Sequence, residues 1–185
     1  MKELAAQIGM SYMGVKQHCV DLQKDGYLDT SRRPKPQGRP EMVYRLTLRT
    51  HELFPVTSNA FTTQLLDSAQ TLYGPAAPEK LILMVYREKV ARYESQVKGE
   101  TVFERAQCLV RLRDAEGCMA EIESDNNLRI VEYHSPILDL LRTFPLIERL
   151  ETELFQQLLK EPVRRVETSV SGLYCCTYHV GMVPS

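Results

Sequence analysis

The sequence lacks the motifs that would assign a catalytic function directly. Its 185 residues contain only 9 glycines, and these form no Gly-rich loop of the kind that cradles phosphates. An HExxH motif, a paired CxxC motif and a nucleophile elbow are also absent. The acidic residues are spread along helical faces, where we expect them to be solvated. We therefore expect that the protein is not an enzyme.

Cysteines and long apolar runs are also scarce. The chain has five cysteines, an odd number without regular spacing, which argues against a disulfide framework. No apolar run reaches the roughly 18 residues that a membrane-spanning helix needs, and the start lacks the pattern of a secretory signal. These absences predict a cytoplasmic protein.

Charge is nearly balanced over the whole chain but unevenly distributed. The net charge is −1, yet residues 1–50 carry nine Lys/Arg against five Asp/Glu. The remaining residues carry 14 basic and 19 acidic side chains. A basic first segment before an acidic body is typical of a polyanion-binding head.

The first 24 residues have the pattern of a helix-turn-helix. Lys2–Ile8 reads as a short helix that ends at Gly9, because glycine readily adopts the left-handed conformation at a helix end. Ser11 supplies an N-cap hydroxyl for a second helix, Tyr12–Lys24. The apolar stripe of this second helix consists of Val15, Cys19 and Leu22.

A basic hairpin follows the two helices. We predict strands at Tyr27–Thr30 and Met42–Thr47, joined by the stretch 31–40. This stretch contains four cations, three prolines and no acid, so it is too rich in proline for a central strand. Together with the two helices it predicts a winged helix-turn-helix.

The expected chemistry of this unit is contact with DNA. The N-terminal end of a recognition helix enters the major groove, where Gln can contact adenine and Lys can contact guanine or phosphate. A wing adds cations against phosphates or in the minor groove. The candidate DNA-binding residues are Ser11, Tyr12, Met13, Lys16 and Gln17 in the helix, and Arg32, Arg33, Lys35, Gly38 and Arg39 in the wing.

The rest of the chain predicts an α+β fold. We expect a winged helix-turn-helix at 1–50, a helical linker and dimerisation region at 51–100, and an α+β regulatory domain with two strand pairs at 101–185. The predicted helices cover about 57–73, 78–98, 101–116, 136–143 and 146–160, and the predicted strands 118–123, 128–133, 163–170 and 173–180.

Several short segments carry a resemblance to a known family. They are Lys2-Glu-Leu-Ala-Ala, Gly9-Met10-Ser11, Asp25-Gly26-Tyr27-Leu28, Gly38-Arg39-Pro40, Tyr44-Arg45-Leu46-Thr47, Ala115-Glu116-Gly117, Ser135-Pro136-Ile137 and Cys176-Thr177-Tyr178. With these the chain resembles the ArsR/DeoR-like winged-helix regulators, and among them the SufR-like predicted transcriptional regulators. The resemblance extends over essentially the whole chain.

The resemblance implies a repressor whose founding members hold an iron–sulfur cluster on C-terminal cysteines. In this chain Ser135 and Glu148 stand at or near two of the expected cysteine positions, and only Cys176, beside Cys175, stands at a third. Such clusters need thiolates, usually four, so we expect no cofactor. His134, Glu148, Cys176 and His179 are all permitted metal ligands, but their spacing matches no tight metal motif.

We interpret the chain as a sequence-specific, homodimeric, repressor-type regulator that binds double-stranded DNA, with an unidentified small-molecule or metal effector. A dimer is expected because palindromic operators require two reading heads. The alternative is a winged-helix protein-interaction module that no longer reads DNA. The basic wing favours the first interpretation.

Members of the resembled group have a helix before the segment that begins at Lys2, so the first helix of the winged unit is apparently missing. We predict that this region is encoded in frame upstream of Met1. Sequencing of the genomic locus tests this, and a stop codon immediately upstream of Met1 would contradict it.

Overall fold

The computed structural model describes residues 2–33, 41–47, 49–50, 59–124, 127–170 and 173–181. The chain divides into two compact units, Met1–Val56 with Ser171–Leu173, and Thr57–Val170 with Tyr174–Ser185. The finer division into three regions stays a prediction. No helix among the described residues is both long and apolar enough to cross a membrane.

The element order confirms the α+β class. The first unit contains α1 (Lys2–Gln7), α2 (Tyr12–Lys24), β1 (Leu28–Arg33) and β2 (Glu41–Leu46). The second contains α3 (Ala60–Tyr73), α4 (Ala77–Glu94), α5 (Val102–Ala115), β3 (Ala120–Glu123), β4 (Arg129–Glu132), α6 (Leu138–Thr143), α7 (Leu146–Leu159), β5 (Val163–Val170) and β6 (Leu173–Val180).

Two strand boundaries differ from the predictions by two residues or more. Strand β1 continues to Arg33, whereas the sequence interpretation assigned residues 31–33 to the loop. The antiparallel ladder with β2 runs on to the pair Arg33 and Glu41, and a residue that precedes proline favours extended backbone. Strand β3 begins at Ala120 rather than 118, because Met119 has φ 51°, which a strand residue does not adopt.

The two predicted strand pairs of the second unit form one antiparallel sheet, in the order β3-β4-β6-β5. Strands β4 and β6 join the pairs, with Ile130 opposite Tyr178 and Glu132 opposite Cys176. Because side chains alternate along a strand, these four residues share one face of the sheet. All four are essentially inaccessible to solvent.

The core of the second unit lies between this sheet face and the helices. Helix α7 contributes Leu150, Leu154, Phe155, Leu158 and Leu159, all buried. The ring of Phe155 stacks on that of Tyr178 with centroids 3.7 Å apart and an interplanar angle of 4°. Helix α7 thus fills the space between the sheet, α4 and α5.

A cluster of buried charges sits inside this core. The Arg113 guanidinium of α5 donates to Glu132 through Nε at 2.6 Å and Nη2 at 3.0 Å. The same Nη2 donates to Glu151 of α7 at 2.6 Å, and the Tyr86 hydroxyl of α4 donates to the other Glu151 oxygen at 2.6 Å. Helix α5, strand β4 and helix α7 therefore meet at one guanidinium, and α4 joins them through Glu151.

The expectation that the acidic side chains are solvated is wrong for this cluster. Arg113, Glu132 and Glu151 are each at most 3% exposed. Burial raises the pKa of Glu132. Burial also opposes ionisation of Glu151, but the positive charges of Arg113 and Lys89 hold its pKa below the ordinary value. Glu151 also has the Lys89 amine at 3.8 Å and accepts a hydrogen bond from the Tyr86 hydroxyl.

Substituting Arg113 by methionine leaves two carboxylates buried without their counter-ion. We expect Arg113→Met to reduce the free energy of unfolding of the second unit by about 3–5 kcal/mol, the range for breaking a buried ion pair. Urea unfolding followed by far-UV circular dichroism measures this. Arg111→Met on the exposed side of α5 is the matched control and should change stability by less than about 0.5 kcal/mol. Equal effects of the two substitutions would contradict the assignment.

Candidate nucleic-acid interface

Helix α2 begins at a well-defined point. Gly9 has φ +65°, which turns the chain after α1 without the steric cost that a side chain would bring. The Ser11 hydroxyl then accepts a hydrogen bond from the Gly14 amide at 3.1 Å. The first turn of α2 carries no acidic residue, so the positive end of the helix dipole is available to an anion.

The two faces of α2 differ sharply in burial. Val15 and Cys19 are 1% and 5% exposed, as the predicted apolar stripe requires. The predicted reading residues of the helix are all exposed; they are Ser11, Tyr12, Met13, Lys16 and Gln17. His18 is exposed as well. Exposure makes these side chains available, and their contact with DNA stays a prediction.

Gln17 is engaged within the helix. Its side-chain amide nitrogen donates to the two carboxylate oxygens of Asp21 at 3.0 and 3.1 Å. Asp21 also lies 3.5 Å from the Lys24 amine. A bidentate contact to adenine needs both the oxygen and the nitrogen of the Gln17 amide, so Gln17 must leave Asp21 before it can read a base.

The base of the hairpin is fastened to the end of α2. The Thr47 hydroxyl donates to the Gly26 carbonyl at 2.6 Å, and the Thr50 hydroxyl donates to the Tyr27 carbonyl at 3.1 Å. The Arg49 guanidinium donates to the Asp25 carbonyl at 2.7 Å and lies 5.1 Å from the centre of the Tyr27 ring. These contacts hold β1 and β2 beside α2.

The structure places only part of the predicted wing. Arg32 and Arg33 are the last residues of β1, paired in register with Met42 and Glu41. Lys35, Gly38 and Arg39 lie outside the described residues. The predicted DNA contacts of the wing therefore stay a prediction for all five residues.

Sequence reasoning missed three features of this unit. The Gln17–Asp21 contact has a clear signal, since residues four apart on a helix are neighbours. Thr47 and Thr50 carry none for their bonds to Gly26 and Tyr27, which are more than twenty residues away. Arg49 carries none, since its partners, Asp25 and Tyr27, are more than twenty residues away.

The second unit does not fit an iron–sulfur cluster. Cys176 is fully buried, and burial raises the pKa of its thiol to about 11, which disfavours the thiolate that iron needs. Cys175 is adjacent in the same strand and points to the opposite sheet face. Glu148 lies 3.5 Å from Arg165. The remaining possibility, a cation held by His134, Glu148, Cys176 and His179, is also unsupported: within the described part of the chain, no three His, Cys, Asp or Glu residues are grouped closely enough to hold a metal ion.

A groove between α4 and α7 reaches the buried ion cluster. It has a volume of about 280 Å³, and its apolar lining includes Leu83, Val90 and Leu154. Tyr86 belongs to both features, since it lines the groove and donates to Glu151. The ring of Tyr86 therefore connects the lining of the groove with the Glu151 carboxylate of the cluster.

Comparison with known proteins gave no relative. No family model matches the chain, and no curated protein or solved structure matches it.

The Gln17–Asp21 contact leads to a prediction about DNA affinity. Asp21→Ala frees the Gln17 amide and removes a negative charge from the reading helix. We expect operator DNA to bind roughly fivefold more tightly, equivalent to about 1 kcal/mol for one exposed charge interaction. Fluorescence anisotropy with labelled duplex measures the change.

Asp29→Ala is the control for net charge, because Asp29 is exposed on β1 and its carboxylate bonds the Thr30 amide rather than Gln17. An equal gain for both variants would attribute the effect to charge alone. A loss of affinity in Asp21→Ala would show that Asp21 positions Gln17 for binding.

Proposed function

We propose that the protein is a sequence-specific DNA-binding transcriptional regulator, a homodimeric repressor-type protein of the winged helix-turn-helix class. The proposal includes a cytoplasmic location, a SufR-like family relationship and no enzymatic activity. The observation that carries it is the division of α2 into a buried stripe and an exposed N-terminal end. A recognition helix needs this division, because one face must pack while the N-terminal end stays free to enter the major groove.

Electrostatics support the same proposal. The capped N-terminus of α2 has no acid in its first turn, and Lys16 is exposed one turn later. The hairpin that brings Arg32 and Arg33 is fastened to the other end of the same helix. Helix and hairpin thus bring cationic residues into one small unit, as phosphate binding requires.

One observation favours the alternative, a protein-interaction module. Tyr12, Met13 and Met42 expose large apolar side chains, between 47% and 68% of their surfaces. Such side chains suit a protein partner, although Tyr12 and Met13 also suit a thymine methyl group. The two functions differ in salt dependence, because only DNA binding releases condensed counter-ions.

The experiment is a titration of the full chain against fluorescent duplex from its own upstream region, at several salt concentrations and with scrambled competitor. We expect competitor-resistant binding whose log affinity falls by about 0.9 for each phosphate contact as log salt rises. Neutralising Lys16, Arg32, Arg33, Lys35 or Arg39 should each reduce this slope by about one unit if the residue contacts a phosphate.

Lys24→Ala is the matched control, because Lys24 is an exposed cation of the same helix but lies in its last turn, away from the reading end. It should leave the slope unchanged. Binding that scrambled DNA abolishes, or an absence of binding at low salt, would contradict the proposal and favour the interaction module.

A further inference from the structure

The groove between α4 and α7 has an apolar floor. Leu150 and Leu154 of α7 are 5% and 1% exposed, and Tyr86 of α4 is 6% exposed, yet all three line the groove. The described lining lies entirely on these two helices, both of which belong to the second unit. The groove is therefore a feature of the second unit by itself.

Two hydrogen bonds join the helices along the groove. The Tyr86 hydroxyl donates to Glu151 at 2.6 Å. About two turns further along both helices, the Gln157 amide donates to Glu94 at 2.8 Å. These two bonds connect the walls of the groove at separate points along its length.

The stretch between these two bonds carries one charge on each wall. Arg87 of α4 and Glu153 of α7 both line the groove, and both are exposed. Among the residues that the structure describes, Arg87 makes no hydrogen bond or ion pair, and Glu153 has only Arg149, at 3.5 Å, with more than half of each side chain exposed. An exposed pair of this kind contributes little stability, so both charges are available to a ligand.

The volume of the groove limits the size of its occupant. At about 280 Å³, it lies just below the range of roughly 300–1,000 Å³ that is usual for small-molecule sites. A molecule about as large as one free amino acid suits this space. A nucleotide would also bring several negative charges to a lining that has two acids, Glu94 and Glu153, against one cation.

The charges of the two walls favour a zwitterion over an ion of either sign. A simple carboxylate would pair with Arg87 but lie beside Glu153, whereas a simple amine would pair with Glu153 but lie beside Arg87. An α-amino acid carries both charges on one carbon and can pair with both walls. An apolar side chain on that carbon would then be buried against Leu150 and Leu154, which adds hydrophobic stabilisation.

We propose that the α4–α7 groove binds a free apolar α-amino acid. Arg87 holds its carboxylate, Glu153 holds its ammonium group, and the floor of the groove takes its side chain. The inference goes beyond the proposed function and rests on the second unit alone, so it does not require that the first unit binds DNA.

Isothermal titration calorimetry of the full chain with L-phenylalanine, in the absence of DNA, tests the inference. We expect saturable binding with a Kd below about 1 mM. Two analogues remove one charge each, since 3-phenylpropanoate lacks the amine and 2-phenylethylamine lacks the carboxylate. Each should bind at least about tenfold more weakly, because each loses one charge-assisted contact.

Two substitutions assign the charges to the walls. Arg87→Gln should weaken L-phenylalanine binding about tenfold without weakening 2-phenylethylamine, which has no carboxylate to lose. Glu153→Gln should weaken L-phenylalanine binding by a similar factor without weakening 3-phenylpropanoate. Glu88→Gln and Arg111→Gln are the matched controls, because both residues are exposed and neither lines the groove; they should leave the Kd unchanged.

Ala91→Phe locates the ligand. Ala91 is exposed and lines the groove, so a phenylalanine ring at this position fills the space and should abolish binding. Circular dichroism spectra that match the unsubstituted chain show that the variants fold, as expected for substitutions at exposed positions.

Three results overturn the inference. They are the absence of binding up to about 10 mM L-phenylalanine, a range in which an occupant of this size should saturate its site, binding that Ala91→Phe leaves unchanged, and analogues that bind as tightly as the amino acid. Because the titration contains no DNA, its outcome is separate from that of the operator titration. A chain that fails to read DNA can still bind the amino acid, and a chain without the amino-acid site can still read DNA.

Discussion

The charge of Arg113 constrains the whole second unit. A guanidinium removed from water is costly unless carboxylates and hydrogen bonds replace its solvent, and here those partners come from separate elements. Glu132 lies on a sheet strand and Glu151 on α7, while Tyr86 of α4 completes the bonding of Glu151. Displacing any one of these elements leaves a buried charge uncompensated. The cluster therefore fixes how α4, α5, α7 and the sheet pack, in addition to the apolar contacts around it.

The first unit is held together in a different way. Among its described residues, the fully buried side chains are Val15, Cys19 and Thr50, too few to form an extensive apolar core. Its geometry instead depends on individual hydrogen bonds, namely the Ser11 cap and the contacts of Thr47 and Arg49 at the base of the hairpin. A small unit with few buried side chains has marginal stability of its own. Under the proposed function, bound DNA would add to that stability by mass action.

The bounds of helices and strands were predicted correctly where the residues that start or end the element are adjacent to it in sequence. Gly9 and Ser11 predicted the start of α2, which has the predicted bounds Tyr12–Lys24. Strands β5 and β6 also match their predicted ranges, 163–170 and 173–180. In each case the residues that start or end the element are next to it in sequence.

The failures concern long-range structure. The pairing of β4 with β6, which merges two hairpins into one sheet, joins residues nearly fifty positions apart. The burial of Glu132 and Glu151 depends on Arg113, which is 19 and 38 residues away from them, so each acid taken alone looks like a surface residue. For the candidate site, the exposed helix face follows from the 3.6-residue period, but the engagement of Gln17 with Asp21 needed the side-chain geometry.

The most direct measurement of the central claim is selection of bound fragments from genomic DNA, followed by hydroxyl-radical footprinting of the enriched fragments. A homodimer that reads DNA should enrich fragments with a shared palindromic sequence. The footprint should show two protected segments about 10 base pairs apart, or a multiple of that spacing, on one face of the duplex. Enriched fragments without a common sequence, or no enrichment over input DNA, would contradict the claim that this chain reads DNA.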